Sequence, residues 1–212
     1  VPPDVARVAE ALAADSEIGT IICEVSGANY GSVPLPFGLL EALRQLADEH
    51  DAVLIFDEVI TGFRLALGGA QERFGIRADI VTYGKTLGGG LPIGVVSGAP
   101  EVLSYITTDH GGEKPPFYNG GTFSANPLTV AAGMAVVRYL SETREETYAR
   151  LERAGETARA ALNDYCLSNG VPAHVIGIGS MFRTIFTDQP VRSPRERRDN
   201  GVSPKFRWRH LV

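Results

Sequence analysis

Asp57 and Lys85 are the residues whose types and placement could carry a reaction. Asp57 closes the apolar run Leu54-Ile55-Phe56, and Lys85 follows the run Ile80 to Tyr83 after a single glycine. A lysine amine becomes a nucleophile when partial burial lowers its pKa from about 10.4 and leaves it unprotonated part of the time. Gly88-Gly89-Gly90, just beyond Lys85, would let a bulky ring approach the backbone closely. A carboxylate and an amine delivered to one sheet edge suit a cofactor that needs an anion at one end and an amine at the other. Each residue also has a plainer reading: Lys85 as a surface lysine in a turn, Asp57 as a cap or half of a buried ion pair.

The same two stretches raise a nucleotide-hydrolase reading. Leu54-Ile55-Phe56-Asp57-Glu58 resembles the acidic strand end that holds Mg²⁺, and Gly84-Lys85-Thr86 resembles the end of a phosphate loop. That reading fails in detail. A phosphate loop needs a glycine where this chain has Asp79, Ile80 to Tyr83 is strand-like, and the acidic strand precedes the lysine instead of following it.

The elements that must position these residues alternate between helix and strand, which predicts βαβ units and a mostly parallel sheet. Short Val- and Ile-rich runs bounded by glycine predict buried strands at Thr20 to Val25, Ala52 to Phe56, Ile80 to Tyr83 and Val95 to Ser97. Such sheets bind ligands at the carboxyl ends of their strands. Helices are predicted at Val5 to Ala14 and at Phe37 to His50, where Leu39, Leu40, Leu43 and Leu46 share one side. Two more run from Asn126 to Leu140, with Pro127 at the first turn, and from Arg144 to Ser168, ahead of Asn169-Gly170. After Val171 the pattern turns to short strands, Val175 to Ile178 and Met181 to Phe186, and a second domain is expected to begin there.

Composition narrows the class. The 212 residues are 44% hydrophobic and 21% charged, with mean hydropathy near zero, as in a globular protein with a core. No apolar run approaches the roughly 18 residues of a membrane span, and Val1-Pro2-Pro3-Asp4 does not open a signal peptide. Two cysteines, Cys23 and Cys166, are too few and too far apart for a disulfide framework or a metal pair, so a cytoplasmic location and no metal are expected. The chain does not begin with Met, which hints at a piece of something longer. From Pro190 onward seven Lys or Arg stand against two acids, leaving +5 in the tail and −10 elsewhere out of a net −5. A basic nucleic-acid patch is not expected from it, because the acidic body would repel a phosphate chain.

Three blocks together resemble a known family. Phe56-Asp57-Glu58-Val59-Ile60-Thr61-Gly62-Phe63-Arg64, Gly84-Lys85-Thr86-Leu87-Gly88-Gly89-Gly90-Leu91-Pro92-Ile93-Gly94 and Gly120-Gly121-Thr122-Phe123-Ser124-Ala125-Asn126-Pro127 are similar, in order and spacing, to the signatures of the class III aminotransferases. Gly68-Gly69-Ala70-Gln71 and Gly179-Ser180-Met181-Phe182 resemble the glutamate-1-semialdehyde 2,1-aminomutase branch. The resemblance covers about residues 1 to 190. It implies an α/β fold of the type-I transferases that depend on pyridoxal 5'-phosphate (PLP). Residues 1–140 would form part of the PLP-binding large domain and 141–189 a connecting helix with the start of the small α+β domain. Residues 190–212 would be a flexible basic tail.

The resemblance further implies roles. Lys85 matches the Schiff-base lysine that also moves a proton, and Asp57 the carboxylate paired with the pyridine nitrogen. Val59 matches the side chain packed on the ring, and Thr122 with Gly121 the seat for the cofactor phosphate of the neighbouring subunit. Glu24 matches a glutamate near the substrate, with a cap or ion pair as its plainer reading. A homodimer acting on a small amino compound, without nucleic acid or membrane, is expected. The activity implied is amino-group transfer between an amino and a carbonyl compound, or the aminomutase's intramolecular amino shift towards tetrapyrrole precursors. Ile60 and Val25 depart from the commoner Gln and Pro, and the family's main phosphate turn and ring-stacking aromatic lie before the matching segment. A catalytically silent fragment or interaction module therefore stays open as a third reading.

Overall fold

The computed structural model describes residues 3–26, 35–106, 120–187 and 189. In chain order the elements are α1 (Val5–Ala14), β1 (Thr20–Glu24), α2 (Leu39–Glu49), β2 (Val53–Asp57), α3 (Gly69–Phe74) and β3 (Ile80–Gly84). A 3₁₀ turn (Lys85–Gly88) leads to β4 (Gly94–Gly98) and α4 (Pro100–Leu103), followed by α5 (Pro127–Glu142), α6 (Arg144–Ser168), β5 (His174–Ile178) and β6 (Met181–Ile185). The basic tail lies outside the described residues.

Local chemistry explains where the helices start. Asp4 caps α1, its Oδ1 accepting from the N–H groups of Ala6 and Arg7 at 3.0 and 3.4 Å. Asn126 caps α5 in the same way, accepting from Leu128 and Thr129 at 3.1 and 3.3 Å, with Pro127 at the first helical position. The Leu39, Leu40, Leu43, Leu46 and Ala47 stripe of α2 is buried, as helical spacing demands.

The main sheet has the order β1-β2-β3-β4. β1, β2 and β3 are parallel, and β4 runs antiparallel to β3 with Gly84 opposite Gly94. Residues 85–93 are too few for the dozen or so a parallel crossover needs, so the chain turns back on itself. The register sets Glu24 opposite Asp57 and Asp57 opposite Thr82.

Burial corrects one expectation. The strands are not buried on both faces: Leu54 and Phe56 are fully buried in a core with Val25, Leu40, Leu43 and Val81, whereas Ile22 is 67% exposed. Among the described residues α1 and α2 cover one face, so β2 alternates between buried and half-buried positions. Asp79 fastens the start of this layer, its Oδ2 accepting from Leu54 N–H at 2.7 Å and from Arg44 at 2.9 Å.

β5 and β6 form a separate two-stranded antiparallel sheet. It is joined to α6 by Asn163, whose side-chain amide accepts from Val175 N–H at 2.8 Å and donates to Val175 O at 2.9 Å, as a neighbouring strand would. Ile178 and Met181 pack against the main core, so the hairpin and the large sheet are in contact. α3 is tied to α6 by the ion pairs Glu72–Arg144 at 2.7 Å and Arg73–Glu152 at 2.8 Å.

Leu54→Ala should lower unfolding free energy by about 2–5 kcal/mol, because it empties a fully buried position. Ile22→Ala should change it by under about 0.5 kcal/mol. Urea denaturation of the two variants compares the faces directly, and equal losses would contradict the one-sided core.

Candidate functional site

β1 and β2 run parallel and in register, so Glu24 and Asp57 finish at one edge, and the 3₁₀ turn begins with Lys85 just past β3. A pocket of about 230 Å³ opens there, lined by Glu24, Val25, Ser26, Asp57, Val59, Ile60, Thr61 and Lys85. Four of the residues singled out in the sequence, Glu24, Asp57, Val59 and Lys85, therefore meet around one space. Gly121 and Thr122 do not line it; they sit exposed in the turn that precedes α5.

Asp57 is held in one orientation. Its Oδ1 accepts from the N–H of Val59 at 3.0 Å and from the hydroxyl of Thr82, its neighbour in register, at 3.3 Å. Its second oxygen has no hydrogen-bond partner among the described residues. Val59 lies against Gly84, where an added Cβ would stand 3.4 Å from its Cγ1 and 3.2 Å from Ile93 O.

Lys85 has φ +43°, a conformation uncommon for a residue with a side chain, and it is the kind of local strain that the surroundings must enforce. Leu87 is buried two residues later, and α5 backs the turn, its Val136 and Gly133 packing against Gly89 and Leu87. One expectation is corrected here: Lys85 is exposed, not partly desolvated. Lys85 lines the pocket while remaining exposed to water.

Glu58 is the residue that sequence reasoning missed. It is fully buried, and its carboxylate accepts from Ala70 N–H at 2.5 Å, Gln71 N–H at 3.2 Å and the Thr61 hydroxyl at 3.0 Å. Burial pushes its pKa up against the pull of those three hydrogen bonds, and burial followed by the nearby Glu58 raises that of Tyr83. A signal was present: an acid directly after Asp57 points to the opposite face, and Thr61 with Gly68-Gly69 supplies a hydroxyl donor and room for a carboxylate. Cys23, beside the pocket on β1, has its thiol pushed up to about 11 by burial and then by the Glu24 charge. Among the described residues no group of His, Cys, Asp or Glu is placed to hold a metal ion, and no helix is long and apolar enough to cross a membrane.

Comparison with known proteins bears on this site. The profile of the family described as aminotransferase class-III matches residues 4–205. The glutamate-1-semialdehyde 2,1-aminomutase of Flavobacterium psychrophilum is 42% identical over 193 residues, covering 90% of this chain and 44% of the relative. That of Methanococcoides burtonii is 46% identical over 176 residues, covering 82% of this chain and 40% of the relative. Among solved structures, an omega-transaminase from Sphaerobacter thermophilus superposes with a TM-score of 0.84 at 32% identity, over 97% of this chain and 45% of its own. A transaminase with PLP bound does so with a TM-score of 0.79 at 30% identity, over 89% and 43%. The chain thus spans less than half the length of the relatives it matches.

The environment of Cys23 is open to measurement. Raised from 9.0 to about 11, its thiol carries about 100-fold less thiolate at pH 8 than an ordinary one, and alkylation by iodoacetamide should slow in proportion. Glu24→Gln should recover part of that rate. An ordinary rate in the unmodified protein would contradict a buried Cys23 beside a charged Glu24.

Proposed function

The chain belongs to the class-III aminotransferase family, and we propose that it supplies the PLP-binding edge of an enzyme that transfers an amino group between an amino compound and a carbonyl compound. One observation carries this reading: Asp57, fixed through Oδ1, keeps its other oxygen unpartnered among the described residues in a pocket that Lys85 also lines. The donor set fits PLP, which asks for an anion at its ring nitrogen and an amine at its aldehyde carbon. When bound, PLP serves as an electron sink for the carbon that bears the substrate's amino group.

The chain's own residues have separable tasks. With PLP bound, Asp57 would keep a proton on the pyridine nitrogen through a charge–charge contact in a partly buried place. Lys85 would hold the cofactor through its amine and, once released, would carry a proton to or from the reacting carbon. The left-handed backbone at Lys85 and the packing of α5 against Leu87 hold that amine at the pocket mouth. Val59 would pack on one face of the ring, and Glu24, opposite Asp57 in register and lining the same pocket, would face the substrate. Gly121 and Thr122 serve the phosphate of a second copy of the protein. Their exposure, with Phe123, Leu128 and Met134 exposed beside them, supports a homodimer in which each copy completes the other's site.

A second reading is favoured by the curated relatives, which are aminomutases at 42% and 46% identity. In that version the same residues return the amino group to the neighbouring carbon of one substrate, with no second amino acceptor.

Lys85→Ala in the intact protein should abolish the visible absorbance gained on adding PLP, and a band that survives the substitution would remove Lys85 from its role. Asp57→Asn should retain PLP while turnover falls by about 100-fold or more. Unaffected turnover would remove Asp57. Amino-group migration within one labelled substrate, without any added acceptor, would select the aminomutase.

A further inference from the structure

Glu58 is a fully buried carboxylate that the chemistry proposed above does not use. It follows Asp57 directly, and its backbone N–H continues the sheet ladder by donating to Thr82 O at 3.0 Å. The two neighbouring side chains consequently point to opposite faces, Asp57 towards the pocket and Glu58 into the protein. On the inner side the carboxylate gathers the loop that returns after β2. It takes the N–H groups of Ala70 and Gln71 at the start of α3 and the hydroxyl of Thr61. Gly62 N–H donates to Glu58 O at 2.8 Å, closing the turn from the backbone side. Gly69 is required twice over: its φ is +70°, and an added Cβ would collide with the Glu58 carboxylate. The loop is thus built around this one group.

We propose that Glu58 is a positioning residue for Asp57: by locking the 58–71 loop from inside the protein, it fixes the peptide between Asp57 and Val59 and so the direction in which Asp57 faces the pocket. The link is short. Val59 N–H is itself a donor to Asp57 Oδ1, so any rotation of residue 58 carries away one of the two hydrogen bonds that aim Asp57. A glutamine at 58 keeps the size but turns one of the two acceptor oxygens into a donor, which then faces either the Ala70 N–H held by Oε2 or the Gln71 N–H held by Oε1, and one of the two contacts is lost. The inference rests on the PLP reading for its consequence in the reaction, while its geometric part is testable without the cofactor.

The experiment compares the intact wild-type protein with Glu58→Gln and Asp57→Asn. Without PLP, amide exchange at Val59 should speed up about tenfold in Glu58→Gln while the β1 amides keep their rates. Unchanged exchange at Val59, or an equal rise along the whole sheet, overturns the inference. With PLP, the pH midpoint of the visible absorbance should move in Glu58→Gln in the same direction as in Asp57→Asn. A midpoint like wild type in Glu58→Gln, with Asp57→Asn displaced, overturns the positioning role and leaves the cofactor reading standing. A wild type that acquires no PLP band overturns the cofactor reading alone, and Val59 exchange without PLP then decides the positioning role. If Glu58→Gln does not fold, Thr61→Val removes one of the three donors and decides the matter. About threefold faster Val59 exchange supports the proposal, and an unchanged rate overturns it.

Discussion

Parallel pairing of β1, β2 and β3 brings three strand ends to one edge of the sheet, and the candidate site exists because of it. A carboxylate from β1, a carboxylate from β2 and an amine just beyond β3 are far apart in sequence, yet the in-register ladder leaves them no other place to go. A slip of one residue between β1 and β2 would turn Glu24 or Asp57 to the opposite face, because side chains alternate along a strand. The register is held by the one-sided core. Leu54 and Phe56 point down onto α2, so Asp57 follows the same alternation and points away from it.

Fixing the edge is a separate task from fixing the side chains on it. Asp57 is held by Val59 and Thr82, one donor from its own loop and one from the neighbouring strand. Val59 packs beside Gly84 at the end of β3. The Lys85 backbone sits in an uncommon conformation with Leu87 anchored beneath it and α5 behind it. These contacts come from the loop after β2, from β3 and from α5, and they set a short irregular loop on a packed scaffold, the arrangement that suits precise placement of a few groups.

The outer parts bear on the site through packing. α3 begins at the Glu58 carboxylate and ends beside α6, to which Glu72 and Arg73 tie it by ion pairs that are partly exposed and so contribute modestly. Asn163 and the packing of Ile178 and Met181 on the core then join the hairpin of β5 and β6 to the same body. The exposure of Lys85, Gly121 and Thr122 goes with a chain that spans less than half the length of its relatives.

Much of this was legible in the sequence where one local rule dominates. The apolar stripe of α2, the start of α5 at Asn126-Pro127, the glycine-bounded strands and the limits of α1 and α6 all follow from residues within a few positions of each other. α3 was not legible, because the six residues Gly69–Phe74, preceded by Gly68, read as a breaker, and the N–H groups of Ala70 and Gln71 in its first turn are taken by the distant Glu58 carboxylate. The reversal into β4 and the one-sided burial were equally hidden, since they depend on loop length and on which faces α1 and α2 cover. The sequence by itself determined which residue types stand at the strand ends, and so which chemistry is available. Tertiary structure alone decided that Glu24, Asp57, Val59 and Lys85 share one pocket and that Glu58 turns inward, because contacts between residues distant along the chain are set by strand register and burial, which no local stretch encodes.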